Sequence, residues 1–185
     1  MRSRKRSVLP ALKPNRRRTL ASCCGTNRPT EDDVSGITSQ MPQTCCLRSQ
    51  SAGESVSKKT VLHHVRSEEL SRVTDEDYRF CPDRNCATVY YSQSGSQFLT
   101  SDVRDSVSAK TSGDGRPICY CFGFTEGHVR RGIGETSAST VAQRITQLIR
   151  AGMCDCEVRN PAGNCCLGQL MQTVARIVNE SKESE

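Results

Sequence analysis

The pattern of apolar and polar residues divides the chain into a segment without periodicity and two patterned segments. Residues 1–57 are rich in Ser, Thr, Arg, Gln and Pro, and they show no sustained apolar period. A segment of this composition buries too little apolar surface to offset the entropy lost on ordering its backbone. The pattern therefore predicts loop or disorder over most of these residues.

The first patterned segment combines helical and strand signals. An apolar stripe from Thr60 to Leu70 predicts a short amphipathic helix. Further on, the β-rich runs 87–91 and 97–100 flank a short polar stretch that contains Gly95, which is a hairpin signal. The polar, glycine-containing residues 105–116 are typical of a linker between two modules.

The second patterned segment is helical and is predicted to form a small bundle. Thr125 is suited to cap a first helix, and a second helix is expected after Ser139 and before Gly152. A third follows Cys166, where Leu167, Leu170, Met171, Val174, Ile177 and Val178 form one apolar stripe. The fold class predicted from both segments is α+β: a small hairpin-containing module followed by a helical domain.

The composition indicates that the hydrophobic core alone stabilises the fold only weakly. Hydrophobic residues make up 35% of the chain and aromatic residues 4%, and tryptophan is absent. A chain so poor in large apolar side chains buries little core per residue. Its twelve cysteines supply an alternative, and they occur in close pairs: Cys23/Cys24, Cys45/Cys46, Cys81/Cys86, Cys119/Cys121, Cys154/Cys156 and Cys165/Cys166.

Whether these cysteines form disulfides or bind metal depends on whether the protein is exported. Residues 20–23 resemble a lipoprotein cleavage box, but no apolar stretch precedes them. No segment is long and apolar enough to span a membrane. The expected location is therefore the cytoplasm, where cysteines serve as metal ligands more often than in disulfides.

Net charge argues against nucleic acid as a partner of the folded part. The formal net charge is +6, and eight basic residues near the N-terminus account for more than all of it: Arg2, Arg4, Lys5, Arg6, Lys13, Arg16, Arg17 and Arg18. The remainder of the chain carries a net charge of −2. A mildly acidic body with a basic tail lacks the electrostatic footprint of a nucleic-acid-binding domain.

Six cysteines are predicted to meet at one end of the helical bundle. Cys119 and Cys121 precede the first helix, and Cys154, Cys156, Cys165 and Cys166 lie between the second and third. An antiparallel helix pair returns the chain to its start, so both groups reach the same end. Four convergent thiolates suit either Zn²⁺ or an iron–sulfur cluster, and helix N-termini after Cys121 and Cys166 favour an anionic centre.

Three sequence blocks resemble known metal-binding families. The stretch Pro117-Ile118-Cys119-Tyr120-Cys121-Phe122-Gly123-Phe124-Thr125 resembles the start of bacterioferritin-associated ferredoxin-like [2Fe–2S] domains. The block Cys156-Glu157-Val158-Arg159-Asn160-Pro161-Ala162-Gly163-Asn164-Cys165-Cys166 and the run from Phe80 to Tyr91 resemble CopZ-type iron–sulfur and zinc metallochaperones. The resemblance implies a [2Fe–2S] cluster on Cys119, Cys121, Cys156 and Cys166, with Cys154 and Cys165 as alternates.

The same resemblance implies a zinc knuckle in the first module. Aligning residues 55–61 with the family places Cys46 at its first cysteine and Ser49 where the second is expected, and Leu47 replaces a proline. A serine hydroxyl is a poor zinc ligand compared with a thiolate. The implied zinc ligands are Cys46, Cys81 and Cys86, with Cys45, His63 or His64 as candidates for the fourth.

These observations predict five segments and one main function. The segments are a disordered tail over 1–43, a zinc-binding-like module over 44–104, a linker over 105–116, a [2Fe–2S] helical domain over 117–180 and a tail over 181–185. The sequence contains no Cys-x-x-Cys motif, so the family's copper-transfer loop is not expected in it.

The expected function is that of a non-enzymatic accessory protein for electron transfer or metal handling, acting with a redox or metal-trafficking partner. No association with a membrane or with nucleic acid is expected. Two alternatives remain open: a redox-silent zinc-only interaction module and a metal- or redox-sensing regulator.

Overall fold

Two modules of different architecture follow one another along the chain. The computed structural model describes residues 44–136 and 140–183. We refer to residues 44–104 as the N-terminal module and to residues 117–183 as the C-terminal module. The predicted tail over 1–43, with Cys23 and Cys24, lies outside the described residues. Strands and helices occur in both modules, which confirms the predicted α+β class.

The N-terminal module is built on an antiparallel sheet whose strand order follows the sequence. Its four strands are β1 Glu54–Val56, β2 Tyr78–Phe80, β3 Thr88–Ser92 and β4 Gln97–Leu99. Helix α1, Lys58–His64, and a 3₁₀-helix, Ser67–Arg72, connect β1 to β2. The buried core of the module is formed by side chains of the sheet, of α1 and of the loop after β4.

The predicted hairpin is confirmed, whereas the predicted helix is shorter than expected. Strands β3 and β4 pair antiparallel, and Gly95 takes a positive φ of 93° in their turn. Helix α1 begins where the Ser57 hydroxyl accepts a hydrogen bond from the Thr60 amide at 3.2 Å. The helix ends at His64 because Val65 is extended and forms a β-bridge with Val103.

The C-terminal module contains the three predicted helices and a short fourth. Strands β5 Pro117–Cys119 and β6 Phe124–Thr125 form a small hairpin ahead of the helices. The helices are α2 Glu126–Thr136, α3 Thr140–Arg150, α4 Cys156–Arg159 and α5 Leu167–Glu183. Helix α5 extends three residues beyond the predicted end of the domain. Ser139, after which the second helix is predicted, lies outside the described residues.

A buried carboxylate holds the helices of this module together. Glu126 is buried at the start of α2 and accepts charged contacts from Arg130 at 2.9 Å and from Arg176 of α5 at 2.6 Å. Burial raises the pKa of Glu126, but the two arginines outweigh it and lower the pKa below its usual range. The network fixes α2 against α5. Apolar side chains of these two helices form part of the buried cluster that includes the cysteines.

The two modules pack against each other through α1 and α4. The Thr60 hydroxyl donates to the Glu157 carbonyl at 2.7 Å, and the Asn164 amide donates to the Glu54 carboxylate at 2.7 Å. Gly163 approaches Val56 so closely that a Cβ there would lie 3.2 Å from its side chain. The packing therefore joins the sheet module to the loop that carries the later cysteines. Among the described residues, no helix has the length and apolarity to cross a bilayer.

Candidate metal centres

Two turns of the N-terminal module bring three cysteines together. Cys46 lies in a tight loop, where its amide donates to the Ser51 carbonyl at 2.9 Å and its carbonyl accepts from the Gln50 amide at 2.8 Å. Gln50 takes a positive φ of 58° in this loop. Cys81 and Cys86 bracket the turn between β2 and β3. The loop and the turn face each other, so the three thiols converge beneath them.

The three thiols are close enough to bind one metal ion. The sulfur atoms of Cys46 and Cys86 are 3.8 Å apart, and those of Cys46, Cys81 and Cys86 all lie within 4.8 Å of one another. Four thiolates around Zn²⁺ at about 2.3 Å place neighbouring sulfurs about 3.8 Å apart. All three cysteines are buried and pack with Tyr91. We refer to them as the cysteine trio.

Ser49 lies beside the trio, at the position where the family pattern has a cysteine. Its hydroxyl is 3.4 Å from the Cys81 sulfur and also interacts with Cys46. Burial raises the pKa of Cys46, but hydrogen bonds from the backbone and hydroxyl of Ser49 bring it down to about 7. Burial raises the pKa of Cys81 above its usual value. The pKa of Cys46 is thus lower than that of Cys81, so Cys46 ionises more readily of these two thiols.

The three candidates for a fourth zinc ligand are not part of this group. The ligand atoms of Cys45, His63 and His64 lie outside the 4.8 Å limit that the trio satisfies. His63 is exposed on α1. The buried ring of His64 contacts Tyr120 instead, with ring centroids 6.2 Å apart.

The C-terminal module brings four other cysteines together at one end of its helices. Cys119 ends β5, Cys121 follows in the hairpin turn, Cys156 begins α4 and Cys166 immediately precedes α5. Cys119, Cys156 and Cys166 belong to the buried core of this module, and Cys121 is partly buried against it. We refer to these four residues as the cysteine quartet.

Sulfur contacts link the members of the quartet. The sulfur atoms of Cys121 and Cys156 are 3.7 Å apart. The Cys166 thiol in turn interacts with those of Cys119 and Cys156. These three contacts connect all four thiols in the order Cys121, Cys156, Cys166, Cys119.

The quartet is more widely spaced than the trio. Within residues 44–136 and 140–183, the trio is the one group of three or more potential ligand atoms that all lie within 4.8 Å of one another. No three thiols of the quartet meet that limit. A single tetrahedral Zn²⁺ would need all its sulfurs about 3.8 Å apart. The quartet therefore lacks the mutual closeness that the trio has.

Backbone N–H groups surround the quartet. The Asp155 amide donates to the Cys121 sulfur at 3.3 Å, and the backbone of Phe122 hydrogen-bonds to the Cys119 sulfur. A hydrogen bond with Cys166 lowers the pKa of Cys119 to about 7, although burial opposes it. The same hydrogen bond, together with burial, raises the pKa of Cys166. Donors aimed at sulfur stabilise an anionic thiolate centre.

Of the two helix N-termini predicted beside the quartet, the one after Cys166 directly follows its cysteine, and the one after Cys121 does not. Helix α5 begins directly after Cys166, and its first turn includes the hydrogen bond from the Leu170 amide to the Cys166 carbonyl at 2.9 Å. Between Cys121 and α2, in contrast, the chain forms β6. Thr125, the predicted cap, lies in that strand, and its hydroxyl is 2.9 Å from Nδ1 of His128. The hairpin was not predicted, because its strands are too short to show a period.

The two alternate cysteines lie at the margin of the quartet. Cys165 is exposed, and Cys154 is partly exposed in the loop before α4. Cys154 interacts electrostatically with Cys156 and Cys165, so both alternates lie near the centre. Burial raises the pKa of Cys154. Cys119, Cys156 and Cys166 are thus buried, Cys121 and Cys154 are partly exposed, and Cys165 is exposed.

His64 lies where the N-terminal module meets the C-terminal cysteine segment, a placement that the sequence does not predict. Its ring stands against Tyr120, the residue between Cys119 and Cys121, and interacts with the backbone of Val158 and Arg159. Its Nε2 has no hydrogen-bond partner among the described residues. A histidine in an amphipathic stripe carries no signal for such a contact, because the partner segments lie far along the chain.

Comparisons with known proteins include a family match over the N-terminal module. Residues 43–104 match the family zf_CopZ, which is described as a zinc binding domain. A copper chaperone CopZ from Archaeoglobus fulgidus is 26% identical over 141 residues, which cover 76% of this chain and 66% of that protein. The chain therefore spans slightly less than two thirds of the length of this relative.

A solved structure extends the match to the fold. The X-ray structure of the Archaeoglobus fulgidus CopZ N-terminal domain superposes with a TM-score of 0.58 at 26% identity, covering 69% of this chain and 95% of that domain. The matched zinc-binding region contains the trio, and the structural match extends beyond that region. Together these findings support a relationship of the chain to CopZ-type metallochaperones.

Proposed function

We propose that this chain is a CopZ-like metal-handling protein with two metal centres of different kinds. In this proposal the trio of Cys46, Cys81 and Cys86 binds Zn²⁺, and the quartet of Cys119, Cys121, Cys156 and Cys166 binds a [2Fe–2S] cluster. The cysteines act as ligands and not as nucleophiles, so the protein is not an enzyme. Its partner is a redox or metal-trafficking protein in the cytoplasm.

The spacing of the quartet carries the cluster part of the proposal. Two irons each take two thiolates, so the four sulfurs of a [2Fe–2S] site need not lie mutually close. A single zinc ion requires mutual contact, which the trio approaches and the quartet does not. A [2Fe–2S] cluster supplies reversible one-electron transfer when bound.

The protein groups around the quartet support an anionic, electron-carrying centre. Backbone donors on Cys119 and Cys121 compensate negative charge on sulfur, which favours the reduced state of a thiolate centre. Three of the four cysteines are buried, which excludes water from most of the site. Cys121 is partly exposed, so one side remains open to an electron-transfer partner.

The metal and sulfide content of the purified protein tests the proposal. We expect about two irons, two sulfides and one zinc per chain after anaerobic purification, with visible bands from thiolate-to-iron charge transfer. Zinc alone, with no cluster after anaerobic reconstitution with iron and sulfide, would leave the redox-silent zinc module as the correct interpretation.

A further inference from the structure

Ser49 makes the first metal centre of this chain different from a closed structural zinc site. The three thiols of the trio converge, but the fourth position has no thiol or imidazole within the 4.8 Å group. The residue at that position is a serine, whose neutral hydroxyl binds zinc much more weakly than a thiolate. The donor set therefore fits Zn²⁺ on three sides and does not fit it on the fourth.

The Ser49 hydroxyl contacts two members of the trio, at a distance that suits a neighbouring ligand of the same ion. With zinc–sulfur and zinc–oxygen distances of about 2.3 and 2.1 Å, a tetrahedral site separates sulfur from oxygen by about 3.6 Å. The Ser49 oxygen is 3.4 Å from the Cys81 sulfur and interacts with Cys46 as well. The Ser51 amide donates to the same oxygen at 3.4 Å, which orients it in the loop.

The serine side of the trio is also its outer side. Cys46, Cys81 and Cys86 are buried, whereas Ser49 is partly exposed. Its loop neighbours are open to solvent, and the Leu47 side chain is 47% exposed. A ligand from solution therefore reaches the fourth position without displacing the core.

We propose that the zinc centre keeps an exchangeable fourth coordination position at Ser49, which accepts a thiolate from another molecule. This inference rests on zinc binding by the trio, as proposed above. The incoming thiol releases its proton to solvent, and its sulfur replaces the weakly held oxygen ligand. No electron is transferred in the exchange.

A position of this kind gives the module a role beyond holding its own fold. A closed four-thiolate site exchanges its metal slowly, because a protein ligand must leave before a new one binds. A weakly held oxygen ligand is displaced more easily, so an incoming thiolate would bind without the loss of a protein thiolate. The chemistry suits transient contact with a cysteine-bearing partner or with a small cellular thiol.

Zinc K-edge X-ray absorption of the purified full-length protein tests the inference. The method is selective for zinc, so an iron centre in the same chain does not interfere. With a phosphine as reductant, we expect three sulfur ligands and one oxygen ligand. Adding 2-mercaptoethanol should convert the site to four sulfurs. The Ser49→Cys variant should show four sulfurs throughout and lose zinc to a chelator at least about tenfold more slowly.

Control variants separate the outcomes. Ser55→Cys adds a thiol at an exposed position of β1 that does not belong to the trio, and should behave as the wild type. Four sulfurs in the wild type without added thiol would overturn the inference, and loss of one of them in Cys45→Ala would identify Cys45 as the fourth ligand. A wild-type site that keeps its oxygen ligand in the presence of 2-mercaptoethanol would also overturn it. Absence of zinc would instead refute the zinc centre itself.

Discussion

The two cysteine groups of this chain bring their thiols together on different kinds of secondary structure. The trio sits between a loop and a turn at the end of a sheet, and its thiols are separate from the main core of the N-terminal module. The quartet is part of the helical core of the C-terminal module. The three thiols of the trio lie mutually close, whereas no three thiols of the quartet do. The two groups therefore differ in thiol spacing as well as in thiol number, and the proposed difference between one ion and a cluster rests on that spacing.

Removing one thiol from the quartet should have the largest effect on metal content. We expect Cys156→Ala to lose essentially all iron and sulfide while retaining zinc, because the change removes the buried thiol at the start of α4. Iron, sulfide and zinc analysis of the purified variant measures this. Cys165→Ala is the matched control and should keep its iron, since that thiol is exposed. Equal iron loss in both variants would contradict the assignment.

Removing one thiol from the trio should have the reciprocal effect. Cys81→Ala is expected to lose zinc and keep iron, because the two groups have separate cores. At free zinc a thousandfold above Kd, the lost binding lowers the free energy of unfolding by about 4 kcal/mol. Denaturant unfolding with and without a zinc chelator checks the figure. If this variant loses iron as well, the two centres are not independent.

Acid should weaken the contact between the modules through His64. Burial lowers the pKa of His64 to about 4, with further lowering by His63 and an opposing effect of Asp105. The unfolded chain binds the proton near pH 6.5, so His64 contributes its stability above that pH and loses it as the pH falls toward 4. The shift corresponds to about 3 kcal/mol.

The pH dependence of unfolding isolates this contribution. Denaturant unfolding at pH 7 and pH 4.5 should show a smaller pH-dependent loss of stability for His64→Gln than for the wild type. His63→Gln, at an exposed neighbour on the same helix, is the control and should follow the wild type closely. An unchanged pH profile for His64→Gln would refute a buried neutral imidazole.

A substitution at Gly53 should disturb the trio without touching a ligand. A Cβ at this position would lie 2.8 Å from the Phe80 carbonyl and would collide with the Tyr91 hydroxyl. That hydroxyl donates to the Thr44 carbonyl at 2.8 Å and anchors the loop of Cys46. Gly53→Ala should therefore cost about 1–3 kcal/mol.

Thermal unfolding and zinc affinity of Gly53→Ala measure this cost. Gly115→Ala is the control, because nothing lies within 4 Å of a Cβ there and its φ is not positive. A Gly53→Ala variant with wild-type stability would show that the loop does not depend on Tyr91.

The elements that the sequence predicts are those with a periodic pattern of apolar residues or a recognisable turn signal. The apolar spacing of α5 and the paired β-rich runs around Gly95 predict the helix and the hairpin, and both are present. Strands β1 and β2 are three residues long, too short to show alternation, so they were not predicted. The helix expected to reach Leu70 ends at His64 because Val65 pairs with Val103, a partner 38 positions later.

The sequence predicts which residues belong to the candidate sites, but it does not predict the distances between their thiols. The grouping of cysteines and the family resemblance pointed to the residues of the trio and the quartet. Neither gives distances, so the difference between a compact and an extended set of thiols is known only from the structure. The same holds for Ser49, whose place beside Cys81 depends on the fold of its loop. The contact of His64 with Tyr120 joins residues 56 positions apart, and no local pattern encodes it.

Electron paramagnetic resonance of the dithionite-reduced protein tests the central claim most directly. A reduced [2Fe–2S] cluster has one unpaired electron, so we expect a signal of about one spin per chain in the wild type and in Cys81→Ala. The signal should be absent in Cys156→Ala. A protein that contains zinc at both groups and gives no signal after reconstitution would contradict the assignment of different centres to the trio and the quartet.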